Sequence, residues 1–166
     1  MTRLDLLLDQ IRLARRYTEQ LLAESPGSDW FRMPQGEVTH IAWQVGHLAI
    51  AEYRLGLERI RGQRDDDESL VSGHFLKVFG RGSVPDPDPL GYPSVQEIRQ
   101  VFDRVHVRTM SELPALSDPT LDAPPVVAHP LCETKGQILG WCARHEMFHA
   151  GQIALIRRLL GSAPLW

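Results

Sequence analysis

Apolar residues at the start of the chain recur at three- and four-residue intervals: Leu4, Leu7, Leu8, Ile11, Ala14, Leu21 and Leu22. That period puts them on one face of a helix, which Pro26 and Gly27 bring to an end. A second helical pattern runs from about Thr39 to Arg61, with Thr39 placed to cap it and Gly62 just beyond. The third opens after Pro93, where Ser94 and Glu97 have the spacing of a capping box. It carries Ile98, Val101, Phe102, Val105 and Met110 inward and closes at Pro114. The fourth begins at Thr134, with Gln137 as box partner, and stops at Gly161 with Pro164 beyond.

The intervening stretches are irregular. Residues 25–38 hold Trp30, Phe31 and Met33 and are expected to pack back on the helices. Residues 62–94 form the longest connection, and one of that length crosses a domain or carries function. Within it Leu70, Val71, Phe75, Leu76 and Phe79 support one short helix. Residues 115–133 contain four prolines and read as an extended strap. No stretch alternates like a strand, and none repeats. The pattern predicts an all-α single domain over residues 1–166. Its expected form is a four-helix bundle, up-up-down-down, with a long crossover between helices 2 and 3.

At 166 residues the chain can bury a core without disulfides or a structural metal. Its 18 basic and 21 acidic residues leave a charge of −3, which argues against a nucleic-acid partner. Cys132 and Cys142 form no C-x-x-C, so a reduced, cytoplasmic protein is expected, with Cys142 a buried structural thiol. Asp5, Asp9 and Arg12 interrupt the first apolar run, which is therefore neither a signal segment nor a membrane span. No later segment is long enough to span, and no membrane partner is expected. RDDDES, residues 64–69, lacks the spacing and glycine of a calcium loop and reads as a solvated run.

The candidate chemistry lies on the fourth helix. Ile138, Trp141, Cys142, His145, His149, Gln152, Ile156 and Leu159 form one stripe, so two histidines sit inside the apolar face. Four apart, their Cβ atoms are roughly 6 Å from each other and their rings can reach one ion. The alternative is a pair of hydrogen-bonded core histidines, but several polar partners are then needed where few exist. In the second helix His47 lies mid-helix among apolar residues, near Trp43 and Gln44, and supplies a third imidazole from another element. His40 competes for that place but stands at the helix start, where capping or exposure is the usual role. His74, His106 and His129 read as surface residues, with His106 a lesser candidate for a place behind the ligands.

His145 to His149 also spell H-E-x-x-H, the zinc-peptidase signature. Such enzymes usually take a third ligand downstream, whereas no His, Asp, Glu or Cys follows His149. A sheet edge to hold a peptide is missing from the pattern too. Proteolysis is the weaker reading.

WQVGHLAIAEYRLG followed by HEMFHAGQIALIRRLLG resembles the DinB-like superfamily, which includes YfiT-type metal-dependent hydrolases. The likeness covers nearly the whole chain, and the family pattern H-x-x-x-H-x-x-Q is met by His145, His149 and Gln152, with His47 as its upstream histidine. The resemblance implies an up-up-down-down bundle, a divalent metal on three histidines and a homodimer. It also implies either hydrolysis of a small-molecule substrate or transfer using a low-molecular-weight thiol such as bacillithiol or mycothiol.

Three neutral imidazoles leave a position open on the ion. There water can have its pKa lowered from about 15.7 to near 7, or a thiol can be held as thiolate. Imidazole suits several divalent ions, zinc and nickel first among those expected here. Glu146, about 100° around the helix from His145, is the one adjoining carboxylate. It is a candidate general base or histidine-orienting group, against a solvated or dimer-facing glutamate. Gln44 and Gln152 are candidates for pocket hydrogen bonding, and Trp43 and Trp141 for pocket wall. A non-catalytic module, its ion stapling helices 2 and 4, is the competing function.

Overall fold

A computed structural model describes residues 1–36 and 38–166. Four long helical segments carry the core: α1 (Arg3–Ala23), α2 (Ile41–Glu52), α5 (Val95–Glu112) and α6 (Lys135–Leu159). A π-helical turn (Tyr53–Glu58) and a short α3 (Arg59–Arg61) continue α2, and α4 (Gly73–Phe79) is the short helix expected inside the long connection. No strand occurs among the described residues; the one isolated bridge joins His129 and Cys132.

The caps follow the local sequence with two departures, the first being that no reciprocal box closes on α6, because Gln137 Oε1 accepts from the Glu133 amide at 2.6 Å. Ser94 and Glu97 close a reciprocal capping box on α5, and Thr134 accepts the Gln137 amide at the start of α6. The cap of α2 is His40, whose Nδ1 accepts the Trp43 amide at 3.1 Å, rather than Thr39. Thr39 Oγ1 instead accepts a hydrogen bond from Gln44 Nε2 at 2.9 Å.

Helix directions depart from the expected up-up-down-down order. Arg15 meets Glu146, and Arg157 donates to the Glu24 carbonyl, so α1 and α6 run parallel. Gln44 meets Gln152 while Leu55 and Ile60 share a cluster with Ile138 and Leu139, so α2 opposes α6. His106 meets Glu52 and Arg61 meets Glu112, so α5 runs with α2. In chain order the sense is up-down-down-up. The like-directed consecutive pair is thus α2 and α5, and residues 62–94 are the crossover that returns the chain to its starting end.

Two apolar clusters fill the bundle. One surrounds Ile41, Leu48, Phe79, Phe102 and Ile153, and includes Trp30 from the first loop; the other surrounds Leu4, Ile11, Leu113, Leu121 and Ile138. Between α1, α2, α5 and α6 lies a charged core. Arg15, only 5 % exposed, donates from Nη2 to Glu52 at 2.6 Å, from Nε to Glu146 at 2.9 Å and from Nη1 to the Phe102 carbonyl at 3.1 Å. Its guanidinium carbon stands 3.3 Å above the Phe102 ring centroid. Glu52 also accepts from His106 Nδ1 at 2.8 Å, so His106 is a partner of the charged core and not the surface residue expected. RDDDES is not wholly solvated either, because Asp67 is buried against Arg61 and the Tyr53 hydroxyl.

Removing one member of a buried, paired set leaves the others charged without compensation, which costs about 3–5 kcal/mol. Arg15→Ala is expected to lower unfolding stability by about that much, measured by urea titration. Unchanged stability would contradict the assigned network.

Candidate metal centre

His47 on α2 and His145 and His149 on α6 face one another across the groove between antiparallel helices. Ring centroids are 4.8 Å apart for His47–His149, 5.5 Å for His47–His145 and 4.5 Å for His145–His149. One ligand nitrogen from each lies within 4.8 Å of the others, a cluster able to hold a metal ion. Three nitrogens on a tetrahedral zinc at about 2.0–2.1 Å sit about 3.3 Å apart. Small side-chain rotations therefore close the set.

Each ring is held from behind. His47 Nδ1 donates to the Phe79 carbonyl at 2.9 Å, and His149 Nδ1 donates to Gln44 Oε1. The Gln44 amide is oriented in turn, because its Nε2 donates to Thr39 Oγ1 and to Gln152 Oε1, each at 2.9 Å. With protons on Nδ1, both rings keep an unprotonated Nε2 as a lone-pair donor. Anchoring through the second ring nitrogen is how metal-binding histidines are ordinarily fixed. His145 differs: its Nδ1 is buried without a hydrogen-bond partner. An orphaned imidazole nitrogen in a three-histidine cluster fits a bound cation.

Local sequence explains the support. Gly46 packs under Phe79, where a Cβ would stand 2.4 Å from the ring Cγ, so a side chain there would displace the residue whose carbonyl orients His47. Trp43 stacks on His47 at 4.8 Å with planes 8° apart, and its Nε1 donates to Ser83 Oγ at 2.9 Å. Trp141 lies 6.2 Å from the His129 ring and 6.0 Å from Phe148.

Burial keeps these imidazoles uncharged. It pulls His145 down to about 4 and His149 to about 3 from an ordinary 6.5, and mutual repulsion among the rings adds to the effect. His47 is lowered too, by burial first and then by the Arg54 charge. Neutral rings are the form that donates lone pairs.

Glu146 does not serve this cluster. Its side chain, 4 % exposed, is committed to Arg15 on the side of α6 that faces α1, where burial pushes its carboxyl pKa up against the opposing pull of Arg15. That departs from both readings the sequence offered, a general base or histidine-orienting group beside His145 and a solvated or dimer-facing glutamate: a rotation of about 100° carries the next residue out of the groove, and there it is buried. His40 is the buried cap of α2 and hydrogen-bonds the Asp86 carbonyl, apart from the triad. Sequence reading missed the Phe79 carbonyl and Ser83, which come from the crossover, and His129 on the strap, which stands near enough to help lower the His145 pKa. These segments have no period, so nothing in the pattern marks where they fold back. Cys132 and Cys142 are both buried free thiols, and burial raises each pKa.

A helical bundle with three histidines converging between two helices defines the class of protein. The chain belongs to the DinB superfamily, whose family model matches residues 10–153. Among solved structures it is similar to a conserved protein from Enterococcus faecalis, at 18 % identity and a TM-score of 0.71, over 98 % of this chain and 99 % of that one. That likeness concerns the fold. No curated protein matches the chain. Among the described residues no helix is long and apolar enough to cross a membrane.

Because His145 and His149 titrate far below 6.5 when folded, the unfolded chain takes up their protons first on acidification. Stability of metal-free protein is therefore expected to be full above about pH 6.5 and to fall steadily towards pH 4 and 3. Replacing His149 with Gln should shallow that decline in thermal-melt profiles; an identical slope in the variant would contradict the assignment.

Proposed function

We propose that His47, His145 and His149 hold one divalent ion, zinc or nickel, and that the protein is an enzyme acting through it on a small-molecule substrate. The reaction class that fits best is transfer to or from a low-molecular-weight thiol such as bacillithiol or mycothiol. Hydrolysis is the alternative that the same nitrogen shell would serve. The observation that carries the reading is the cluster itself: three uncharged imidazoles, two with their outer nitrogens anchored, within 4.8 Å of one another. Three protein ligands leave a position open, as catalytic sites do and closed structural sites do not, which supports an enzyme over a staple between helices.

Bound there, a divalent ion supplies Lewis acidity, enough to deprotonate a thiol outright or to bring water near a pKa of 7. The protein's part is orientation. Gln44 and the Phe79 carbonyl fix the tautomers of His149 and His47, and Trp43 covers one face of His47. No carboxylate joins the cluster among the described residues. The Glu146 carboxylate, needed as base in an H-E-x-x-H peptidase, is tied to Arg15, which weighs against proteolysis. Both chemistries use the same nitrogen shell, and the thiol reading is the one that titration with small thiols tests.

Leu13 and Phe148, 57 % and 59 % exposed, flank a groove between α1 and α6 with Met147, and a second copy related by a two-fold axis would cover both. Two free thiols suit a reducing compartment, and the cytoplasm is the proposed location.

Native mass spectrometry is expected to find one divalent ion per chain, lost in His47→Ala and in His149→Ala. Gln44→Leu should weaken metal affinity by about ten- to a hundredfold, the usual effect of removing a group that orients a ligand. A folded wild type that takes up no divalent ion would overturn the proposal. Phe148→Asp is expected to convert a dimer to monomer in sedimentation analysis, with an unchanged mass counting against that interface.

A further inference from the structure

Among the partly buried arginines, Arg61, Arg99 and Arg108 pair with carboxylates. Arg54 and Arg59, also partly buried, have no side-chain hydrogen bond or ion pair among the described residues, and Arg59 Nε is buried with no partner. Glu58, adjacent in the chain, pairs with neither, and its charge bears on Tyr53. Two guanidinium groups drawn partly out of water in this way lack the acceptors their N–H groups require.

The backbone brings the two together on the face that carries His47. Residues five apart on an α-helix stand about 140° apart. Over Tyr53–Glu58 the chain takes a π turn instead, and the Arg59 amide donates to the Arg54 carbonyl five residues back. That bond sets Arg59 one full turn beyond Arg54, and such turns recur at functional sites. Arg54 is in turn seven residues beyond His47, two α-helical turns or roughly 10 Å along the axis. Long helical side chains lean toward the helix N-terminus, here back toward His47 over the small Ala51.

The opposite wall comes from α6 and the strap. Because α6 opposes α2, this stretch faces Trp141, one turn before His145, and Trp141 and Ala51 pack against the same apolar cluster. His129 stands 6.2 Å from the Trp141 ring, and the Val126 amide ties the strap to the Arg59 carbonyl at 2.8 Å. Burial first and then the Arg54 charge lower the His47 pKa, and burial and then Arg59 do the same at His129. Both cations thus stand at the end of the groove where His47 and His145 lie.

We propose that Arg54 and Arg59 form an anion-recognition pair beside the metal site, so that the protein acts on small molecules carrying a carboxylate or similar oxyanion a few bonds from the reacting atom. This deepens the metal reading given above and rests on it. The guanidinium fork matches the two oxygens of such a group, and a charge-assisted contact there would orient the substrate while the reacting atom meets the ion. A neutral substrate would leave both cations unpaired.

The test titrates zinc-loaded full-length protein calorimetrically with small thiols: anionic 3-mercaptopropionate and 2-mercaptoethanesulfonate, neutral 2-mercaptoethanol and cationic cysteamine. Both anions are expected to bind about five- to tenfold more tightly than 2-mercaptoethanol, the lower end for charge-assisted contacts because the groups are partly exposed. Cysteamine should bind more weakly than 2-mercaptoethanol. Arg54→Gln and Arg59→Gln should each lose most of the preference with 2-mercaptoethanol affinity and zinc content unchanged, whereas Arg16→Gln, an exposed arginine on α1, should keep it. No preference for the anions, or one that survives in both variants because the anion chelates zinc, would overturn this inference alone. An equal loss in Arg16→Gln would assign the effect to overall charge and overturn it too. Zinc retained with no thiol bound would remove this inference and the thiol reading, and failure to retain zinc would remove the metal reading as well.

Discussion

Imidazole rings taken out of water keep two polar nitrogens each, and a groove between two apolar helices has few groups to satisfy them. Here the cost is met on one side only. The Phe79 carbonyl and Gln44 Oε1 accept hydrogen bonds from Nδ1 of His47 and His149, leaving their Nε2 lone pairs inside the cluster, and His145 has a buried Nδ1 with no partner. The surrounding features follow from that constraint. Gly46 is needed to admit Phe79, α4 is needed to bring the Phe79 carbonyl to His47, and Thr39 and Gln152 are needed to turn the Gln44 amide.

The bundle separates its charged core from its uncharged one by helix rotation. His145 and Glu146 are neighbours in the chain, yet one faces α2 among neutral rings and the other faces α1 beside Arg15. A cation at the cluster would therefore meet nitrogen donors alone, while the carboxylates of Glu52 and Glu146 share Arg15, and Glu52 also accepts from His106. The H-E-x-x-H spelling brings the two systems together in sequence without joining their chemistry.

Much of this was legible before any coordinates. Helical period located all four long helices, and Ser94 and Thr134 capped theirs as their spacing indicated, because those signals are local. His47, His145 and His149 stood out as imidazoles inside apolar stripes. Three things did not follow. Helix direction was misjudged, since the crossover shows which neighbours are like-directed only once packing partners are known. The role of Glu146 depended on Arg15, 131 residues away in the chain, and no local pattern links them. The π-helical turn over Tyr53–Glu58 was also hidden: Gly56 there packs so closely that a Cβ would stand 2.7 Å from Thr109 Cγ2, a tertiary demand.

The central claim is that nitrogen from two helices makes up the protein side of a metal shell. X-ray absorption at the metal edge of zinc-loaded protein tests it most directly. The account predicts three nitrogen scatterers at about 2.0–2.1 Å, the outer-shell pattern of imidazole rings and one further light atom. A first shell containing sulfur, or one of oxygen only without the imidazole pattern, would contradict it.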